Sequence, residues 1–356
     1  MPRYATLFLT HSGRLTDMGL CSINYLTRRY ASPDRLKTLP SFNELQPASM
    51  SNSYNGMVSI FHIDKDITGI RLKFAGVIHD KRKIQHVVQR TKNELILAYE
   101  DGLELWEFSC PIYELNRKSL LNVVKRRVFD HNLFAGIHTA FLADANTIVL
   151  SCSSPDAVLK YDLREGKLVD MLRMPELIYG HNYEITEHTD LKSHYINNDA
   201  QLTHINSAWP DDNGKIIVST LIQGAIGVFD EVKSDYHELT RGFVGCHGVR
   251  RSQEGLIYFA DSVTGSLVFL NDDGRIHSRY AVNSRWLHDV QQIEGSQYAF
   301  SLADKNELRI CDIMNDRVLF KKRYPVIPDS RFNYFRDRSG IWRGNSTQFL
   351  SISPIY

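Results

Sequence analysis

The chain alternates short apolar runs with polar turns, and one unit of this pattern occurs five times. Each unit begins with a histidine, continues into an apolar run, turns, and ends in a second alternating run. In one copy, His247 precedes the run 256–261 and then the run 266–270. Runs of Val, Ile, Leu, Tyr and Phe separated by Asp-Gly, Asn-Gly and Glu-Gly are typical of β-strands joined by tight turns. The pattern predicts an all-β chain.

The spacing of the units indicates a particular closed arrangement of strands. The unit histidines are separated by 52, 66, 43 and 41 residues; they are His86, His138, His204, His247 and His288. A further run follows the pair of strands in several units, as at 166–171 and 274–280, which gives four strands per unit. A period of about 42 residues with four strands is typical of a β-propeller blade.

The two ends of the chain supply one more blade. Residues 4–10, 57–64 and 70–74 have the pattern of a second, third and fourth strand, and 340–353 would provide the inner strand. Pairing of N- and C-terminal strands would remove the free edges of this blade. We therefore predict a single β-propeller domain over residues 1–356, with six blades, and with five or seven as the alternatives.

The repeated histidines indicate a metal site. The first strand of each propeller blade lines the axial channel, so residues in the same register form a ring around the axis. Buried imidazoles are costly unless something binds them, and neutral imidazole is the commonest protein ligand of transition metals. We predict that several of the five histidines hold a divalent transition metal, iron or zinc rather than copper. For any one histidine alone, a half-buried structural role remains the alternative.

Other residues are candidates for orienting these histidines or for contacting a substrate. Asn206 and Asp289 lie beside unit histidines, and His194 and Arg336 lie in long segments without strand patterning. The long segments are predicted at the face where the first strands begin, over the channel; they are 12–56, 175–202 and 323–339.

Composition narrows the classes of function. The chain has 356 residues, of which 43% are hydrophobic and 23% charged, and a formal net charge of +1, which argues against binding nucleic acid or a membrane surface by bulk charge. No apolar run approaches the about 18 residues of a membrane-spanning helix, and the first residues have too short an apolar stretch for a signal peptide. Five scattered cysteines without a Cys-x-x-Cys motif indicate reduced thiols. We expect a cytoplasmic protein.

One unit resembles a known repeat. Residues 246–261 contain His-Gly-Val, a turn at Gly255 and an apolar strand that ends in Ala-Asp, and residues 270–275 contain Asp-Asp-Gly. This arrangement resembles the NHL-type repeat of gluconolactonase-like β-propellers, and the resemblance is best over residues 204–312. It implies the propeller fold.

Two metal-bearing propeller families are similar in their blade-start histidines. Peptidyl-hydroxyglycine amidating lyases hold zinc with three blade histidines. Carotenoid-cleaving oxygenases hold iron with four histidines on the propeller axis. Calcium-dependent lactonases have Glu, Asn and Asp in the channel, so the histidines here count against lactone hydrolysis.

The expected function is that of a histidine-ligated metalloenzyme acting on a small organic substrate at the propeller axis. The metal would polarise a carbonyl or generate hydroxide in a lyase or hydrolase, or activate dioxygen in an iron-dependent oxygenase. The alternative is a non-enzymatic scaffold that binds a protein or peptide at the top face. In neither case do we expect a nucleic-acid partner.

Overall fold

The fold is taken from a computed structural model of the chain. It describes residues 3–12, 41–45, 56–66, 69–80, 82–175, 178, 183–196, 200–212, 214–233, 235–324 and 346–354.

The described strands form six antiparallel sheets of four strands, arranged as the blades of a β-propeller. The first blade contains β1 (Arg3–Ser12), β2 (Gly56–Asp66), β3 (Gly69–Asp80) and the last strand, β24 (Ser346–Pro354). The second contains β4 (Ile84–Thr91), β5 (Glu94–Tyr99), β6 (Gly102–Phe108) and β7 (Val123–Phe129). The third contains β8 (Ile137–Leu142), β9 (Thr147–Cys152), β10 (Ala157–Asp162) and β11 (Lys167–Arg173). The fourth contains β12 (Ile205–Asp211), β13 (Lys215–Thr220), β14 (Ala225–Asp230) and β15 (Asp235–Arg241). The fifth contains β16 (Cys246–Arg251), β17 (Ile257–Asp261), β18 (Ser266–Leu270) and β19 (Ile276–Ala281). The sixth contains β20 (Leu287–Glu294), β21 (Gln297–Leu302), β22 (Glu307–Asp312) and β23 (Arg317–Arg323).

The first blade closes the ring with both ends of the chain. Its strand order is β24-β1-β2-β3, so the C-terminal strand is the inner strand and pairs with β1. The prediction of six blades closed by the two termini is confirmed. Because every inner strand now has a paired neighbour, the closure leaves no isolated terminal strand at the axis.

Hydrophobic side chains hold neighbouring blades together. Val58 and Ile60 of the first blade pack in one buried cluster with Ile84, Val87 and Leu97 of the second. The second strand of a blade is covered on both faces by such contacts, so β9 is buried from its second residue to its last. The fourth strand faces solvent, and most of β7 and β19 is exposed. Burial at about 25 cal/mol per Å² of apolar surface stabilises this stacking of blades.

Helical structure in the described residues is short. Four 3₁₀ helices occur there, at Phe42–Glu44, Ile112–Glu114, Ser119–Leu121 and Ala303–Lys305. None of the helices described could cross a membrane, since each is too short and too polar. Cys110, Cys152, Cys246 and Cys311 are free thiols.

Part of one predicted insertion packs on the propeller. Within residues 183–196, Ile185, Leu191 and Ile196 are buried in a cluster that contains Ile137 of β8. The Leu191 amide donates to the Asn132 carbonyl at 3.1 Å. The other two predicted insertions lie largely outside the described residues, and Arg336 lies outside them as well.

Candidate functional site

The inner strands of five blades begin in the same way. Each starts with a buried apolar residue that pairs with the last residue of the second strand; these residues are Ile84, Ile137, Ile205, Cys246 and Leu287. The second residue of the strand therefore occupies an equivalent position in each blade. The second residues are Gln85, His138, Asn206, His247 and His288.

The register of the unit histidines differs from the prediction for two of the five. His138, His247 and His288 are equivalent, but His204 precedes its strand by one residue and His86 is the third residue of β4. The prediction that all five share one register is wrong, because the apolar first residue fixes the strand and leaves the histidines at three different offsets. Their assignment as metal ligands stays a prediction.

A pairing irregularity follows the start of each of these inner strands. It spans the second residue in β4, β8, β12 and β20, and follows His247 in β16. A bulge at this point turns a side chain away from the regular alternation of the strand. The local fold therefore sets the second residues apart from the apolar positions on either side.

Four of the histidines meet at one end of the channel. The ring centroids of His138 and His204 are 4.8 Å apart, and those of His247 and His288 are 4.6 Å apart. Burial lowers the pKa of His138 well below its usual value, and repulsion by His204, Lys83, His247 and His288 lowers it further. We call the four imidazoles together with the side chain of Lys83 the mouth cluster.

His86 belongs to a different environment. Its Nδ1–H donates to the Ala140 carbonyl at 2.8 Å, and its ring packs edge-on against Phe141 at 4.9 Å. Both partners are on β8 of the next blade. His86 therefore joins two inner strands, and its offset in β4 explains why it points to a different level of the axis.

Hydrogen bonds fix the tautomers of two mouth histidines. His247 Nδ1 lies 2.8 Å from the Gly245 carbonyl and 2.9 Å from Ser262 Oγ, and His204 Nδ1 bonds to the side-chain oxygen of Gln201. Because a carbonyl oxygen can only accept, Nδ1 carries the hydrogen in both rings. The lone pair is therefore on Nε2, the atom that would bind a metal or a proton.

Burial disfavours the charged form of three mouth imidazoles, those of His138, His247 and His288. Burial lowers the pKa of His247 to about 4, and burial together with repulsion from His247 and Lys83 lowers that of His288. A neutral imidazole can coordinate a metal, whereas a protonated one cannot.

A buried carboxylate holds the backbone before His204. Asp156 accepts hydrogen bonds from the amides of Leu202 at 2.8 Å, Thr203 at 3.2 Å and His204 at 2.6 Å. His204 has a φ of 52°, in the left-handed region that is costly for a residue with a side chain. Asp156 therefore positions His204, and sequence analysis missed it because the two residues are far apart in the chain.

Below the mouth cluster, side chains from five inner strands fill the axis. The guanidinium of Arg250 donates to both carboxylate oxygens of Asp289 at 2.7 and 3.0 Å, and both side chains are fully buried. Arg250 also lies 5.3 Å from the Phe141 ring, which contacts His86 and Trp209. We call these five residues the floor. These contacts join side chains of β4, β8, β12, β16 and β20, which therefore meet near the axis.

Two residues predicted to orient histidines have other partners. Asp289 is the ion-pair partner of Arg250. Burial lowers the pKa of His247, and the charge of Asp289 opposes part of that lowering. Asn206 Nδ2 donates to the Cys246 carbonyl at 2.8 Å and so ties β12 to β16.

Several buried polar atoms around the mouth lack a hydrogen-bond partner within the described part of the chain. They are both amide atoms of Gln85, Oδ1 of Asn206 and the indole Nε1 of Trp286. All three side chains are at most 2% exposed, and Trp286 packs against His247 with centroids 5.7 Å apart. An unsatisfied buried polar group costs about 1–3 kcal/mol, so a ligand that bonds to these atoms would recover this energy. The sequence also offers Gln85 as a residue that could orient the histidines, but only alignment on the apolar first residues places it in the register of His138.

The segment 183–196 borders this site. The Tyr195 hydroxyl is 3.2 Å from the position that a Cβ would occupy at Gly136, which immediately precedes β8. His194, predicted to contact substrate, has Nδ1 3.3 Å from the Asp190 carbonyl. Its role toward a substrate stays a prediction.

The arrangement of possible metal ligands is incomplete as it stands. Among the residues that the structure describes, no three His, Cys, Asp or Glu side chains are placed to hold one ion. The mouth imidazoles instead form two pairs, each able to offer two nitrogens. A transition-metal site with three protein ligands would require one ring to turn toward the other pair.

Comparison with known proteins supports the fold. No protein-family model and no curated protein matches the sequence. A chain in the nidogen/laminin complex has a TM-score of 0.54 and 9% identity, covering 85% of this chain and 96% of that chain. Virginiamycin B lyase from Staphylococcus aureus has a TM-score of 0.47 and 11% identity, covering 80% and 84%. The WD40 propeller domain of Doa1 has a TM-score of 0.46 and 9% identity, covering 68% and 69%. At these identities the likeness extends to the β-propeller fold alone.

Proposed function

We propose that the chain is an enzyme whose site is the mouth cluster, where imidazole nitrogens hold a divalent transition metal, iron or zinc, against a small organic substrate. The observation that carries this proposal is the meeting of four imidazoles from four inner-strand segments as two close pairs. Two of these rings have their lone pair on Nε2 because Nδ1 is hydrogen-bonded.

The chain's own groups suit such chemistry. When bound, a metal at this site would act as a Lewis acid on a carbonyl or, if it is iron, would support oxygenase chemistry. The Nε2 atom of an imidazole that is not a ligand is placed to accept a proton from a substrate, as a lyase or hydrolase requires.

Metal content tests the proposal. Protein purified without chelator should contain about one equivalent of a transition metal, or acquire it on addition of iron or zinc. The double variant His247→Ala/His288→Ala should lose the metal, whereas His237→Ala, an exposed histidine of β15, should keep it. The proposal would be rejected if wild-type protein neither contains nor acquires a metal, or if the double variant retains it. Peptide or protein binding that the double variant leaves unchanged would favour a scaffold instead.

A further inference from the structure

The outermost strand of the second blade, β7, presents apolar side chains to solvent. The sheet order β4-β5-β6-β7 places this strand at the rim of the propeller, at the opposite edge of the blade from the inner strand. Val124 and Val128 are 63% and 64% exposed, and Leu121, just before the strand, is 85% exposed. Single exposed apolar residues are normal on a protein surface, whereas a group of them marks an interaction site.

The same strand carries more positive than negative charge. Lys125, Arg126 and Arg127 are exposed, and none of them forms an ion pair with another residue of the described chain. The Arg126 guanidinium lies 4.1 Å from the centre of the Trp106 ring, and the Arg127 guanidinium lies 4.6 Å from the centre of the Phe129 ring. The aromatic rings hold both cations in place without removing their charge.

The ladder with β6 sorts these side chains onto the two faces of the blade. Beyond a shift of register near Val123, residues 125–129 pair regularly with β6, and alternate residues of a strand point to opposite faces. Lys125 and Arg127 therefore share one face, and Arg126 and Val128 share the other. Glu107 is opposite Lys125 in this ladder, so three cations accompany one carboxylate that pairs with none of them.

The backbone of β7 forms a sheet edge. Among the described strands β7 pairs with β6 alone, so every second residue directs its N–H and C=O away from the sheet. The outer strands of two other blades differ in their charges. In β15 Glu238 pairs with Arg241. In β23 Lys321 pairs with Glu307. The edge of β7 thus combines free backbone groups, unpaired cations and exposed valines.

These three properties select among the possible partners. A second copy of β7 would place cations opposite cations, which is destabilising across a ladder. A nucleic acid binds through its phosphates and by base stacking, and it would leave the backbone groups and the valines unmatched. An extended peptide supplies main-chain donors and acceptors to a sheet edge, and carboxylates on the peptide would complement the cations.

We infer that β7 is a docking edge for an extended acidic segment of a partner protein, which adds as a fifth strand to the second blade. The acidic side chains of this segment lie opposite Lys125 and Arg127. The apolar side chains alternate with them and cover Val128 on the other face. Because the edge is at the rim of the propeller, this interaction goes beyond the proposed function and does not involve the mouth cluster.

A synthetic peptide tests the inference on the full chain. The probe has about nine residues of alternating Glu and Val, the length of a long strand, with blocked ends and a fluorescent label. In fluorescence anisotropy it should bind with a dissociation constant below about 1 mM. A peptide of alternating Lys and Val should not bind. The inference would be wrong if the acidic peptide does not bind up to that concentration, or if both peptides bind equally.

Charge reversal on β7 locates the binding. The variant Lys125→Glu/Arg127→Glu should bind the acidic peptide at least about tenfold more weakly and should gain binding of the Lys-Val peptide. The control Lys215→Glu/Arg317→Glu changes the net charge equally at exposed positions of β13 and β23, and it should bind the acidic peptide as the wild type does. Equal weakening in the two variants would show attraction to overall charge and would overturn the inference.

Methylation of the peptide backbone tests for strand addition. Only one edge of an added strand faces β7, and alternate amides of the peptide point to that edge. Methylation of the amide nitrogens on that edge should abolish binding, whereas methylation of the other alternate set should leave most of it. Equal binding of the two methylated peptides would contradict a fifth strand. Because this comparison uses the wild-type chain, it decides the question even where a variant fails to fold.

Two further measurements separate this inference from other interpretations. Single-stranded oligo(dT) of about ten nucleotides should bind more weakly than the acidic peptide, and stronger binding of the DNA would overturn the inference. Peptide binding that is lost in Lys125→Glu/Arg127→Glu occurs at the rim and does not bear on the role of the mouth. Metal content of the same samples tests the proposed function, so either proposal can fail while the other stands.

Discussion

The buried polar groups of the floor and of the mouth differ in how their charges and hydrogen bonds are satisfied. At the floor, the charges of Arg250 and Asp289 neutralise each other through two hydrogen bonds. At the mouth, burial keeps His247 and His288 neutral, and polar atoms of Gln85 and Trp286 lack partners within the described residues. Polar groups that satisfy one another stabilise a fold, whereas groups held apart from partners are available to a ligand. The difference supports a structural role for the floor and is consistent with the mouth as the site of the proposed function.

Loss of the Arg250–Asp289 ion pair at the floor should have the largest effect on the free energy of unfolding. Asp289→Ala leaves the fully buried Arg250 guanidinium without its carboxylate, and loss of one partner of a buried ion pair costs about 3–5 kcal/mol. Urea unfolding followed by fluorescence would measure the loss. Asp272→Ala, which removes an exposed partner of Arg251, is the control and should change the free energy of unfolding little. A floor that is not structural would give equal, small losses in both variants.

The buried His247 of the mouth should instead affect how the free energy of unfolding depends on pH. Burial lowers the folded-state pKa of His247 to about 4, below the unfolded value of about 6.5, so the unfolded chain binds more protons between these two pH values. The free energy of unfolding should therefore fall as the pH falls through this window and should be insensitive to His247 above it. For this one residue the loss from pH 7 to pH 5 is about 2 kcal/mol.

A variant isolates that contribution. His247→Gln should remove about one proton of the pH dependence, making unfolding less sensitive to pH between 7 and 5. The comparison residue is His237, which is exposed on β15, and His237→Gln should leave the pH profile unchanged. Parallel profiles for wild type and His247→Gln would show that the mouth imidazole is not held neutral by the fold.

The sequence predicted the fold better than the site for a physical reason. Blades repeat because each needs the same apolar runs to pack against its neighbours, and that periodicity is readable from 94–99, 147–152 or 297–302 without coordinates. Even the inner strand at 346–354 follows from the need to close the ring. These features depend on residue type and spacing alone.

The make-up of the site depends on the position of each histidine relative to the first residue of its inner strand. These positions differ by one residue between blades, and aligning the repeated histidines with one another hides that difference. Aligning His86 with His138 shifts β4 by one position, and a shift of one residue exchanges the two faces of a strand. Lys83 and Trp286 could be recognised only after the strand starts were known. The ion pair of Arg250 with Asp289 joins neighbouring blades, so no local pattern predicts it.

The smallest effect on stability should come from the residue that positions His204. Asp156→Asn keeps one acceptor oxygen for the amides of residues 202–204 but loses the second, at a cost of about 1 kcal/mol. Because His204 has a φ of 52°, the weakened support should let this ring leave its place 4.8 Å from His138. Metal affinity should therefore fall by more than the change in stability implies. Asp144→Asn is the matched control, since Asp144 accepts from the amides of Asn146 and Thr147 in an exposed turn away from the mouth. Equal metal affinities in the two variants would mean that the placement of His204 does not affect the site. The proposed role in metal binding would then rest on the pair His247–His288 and no longer on the pair His138–His204.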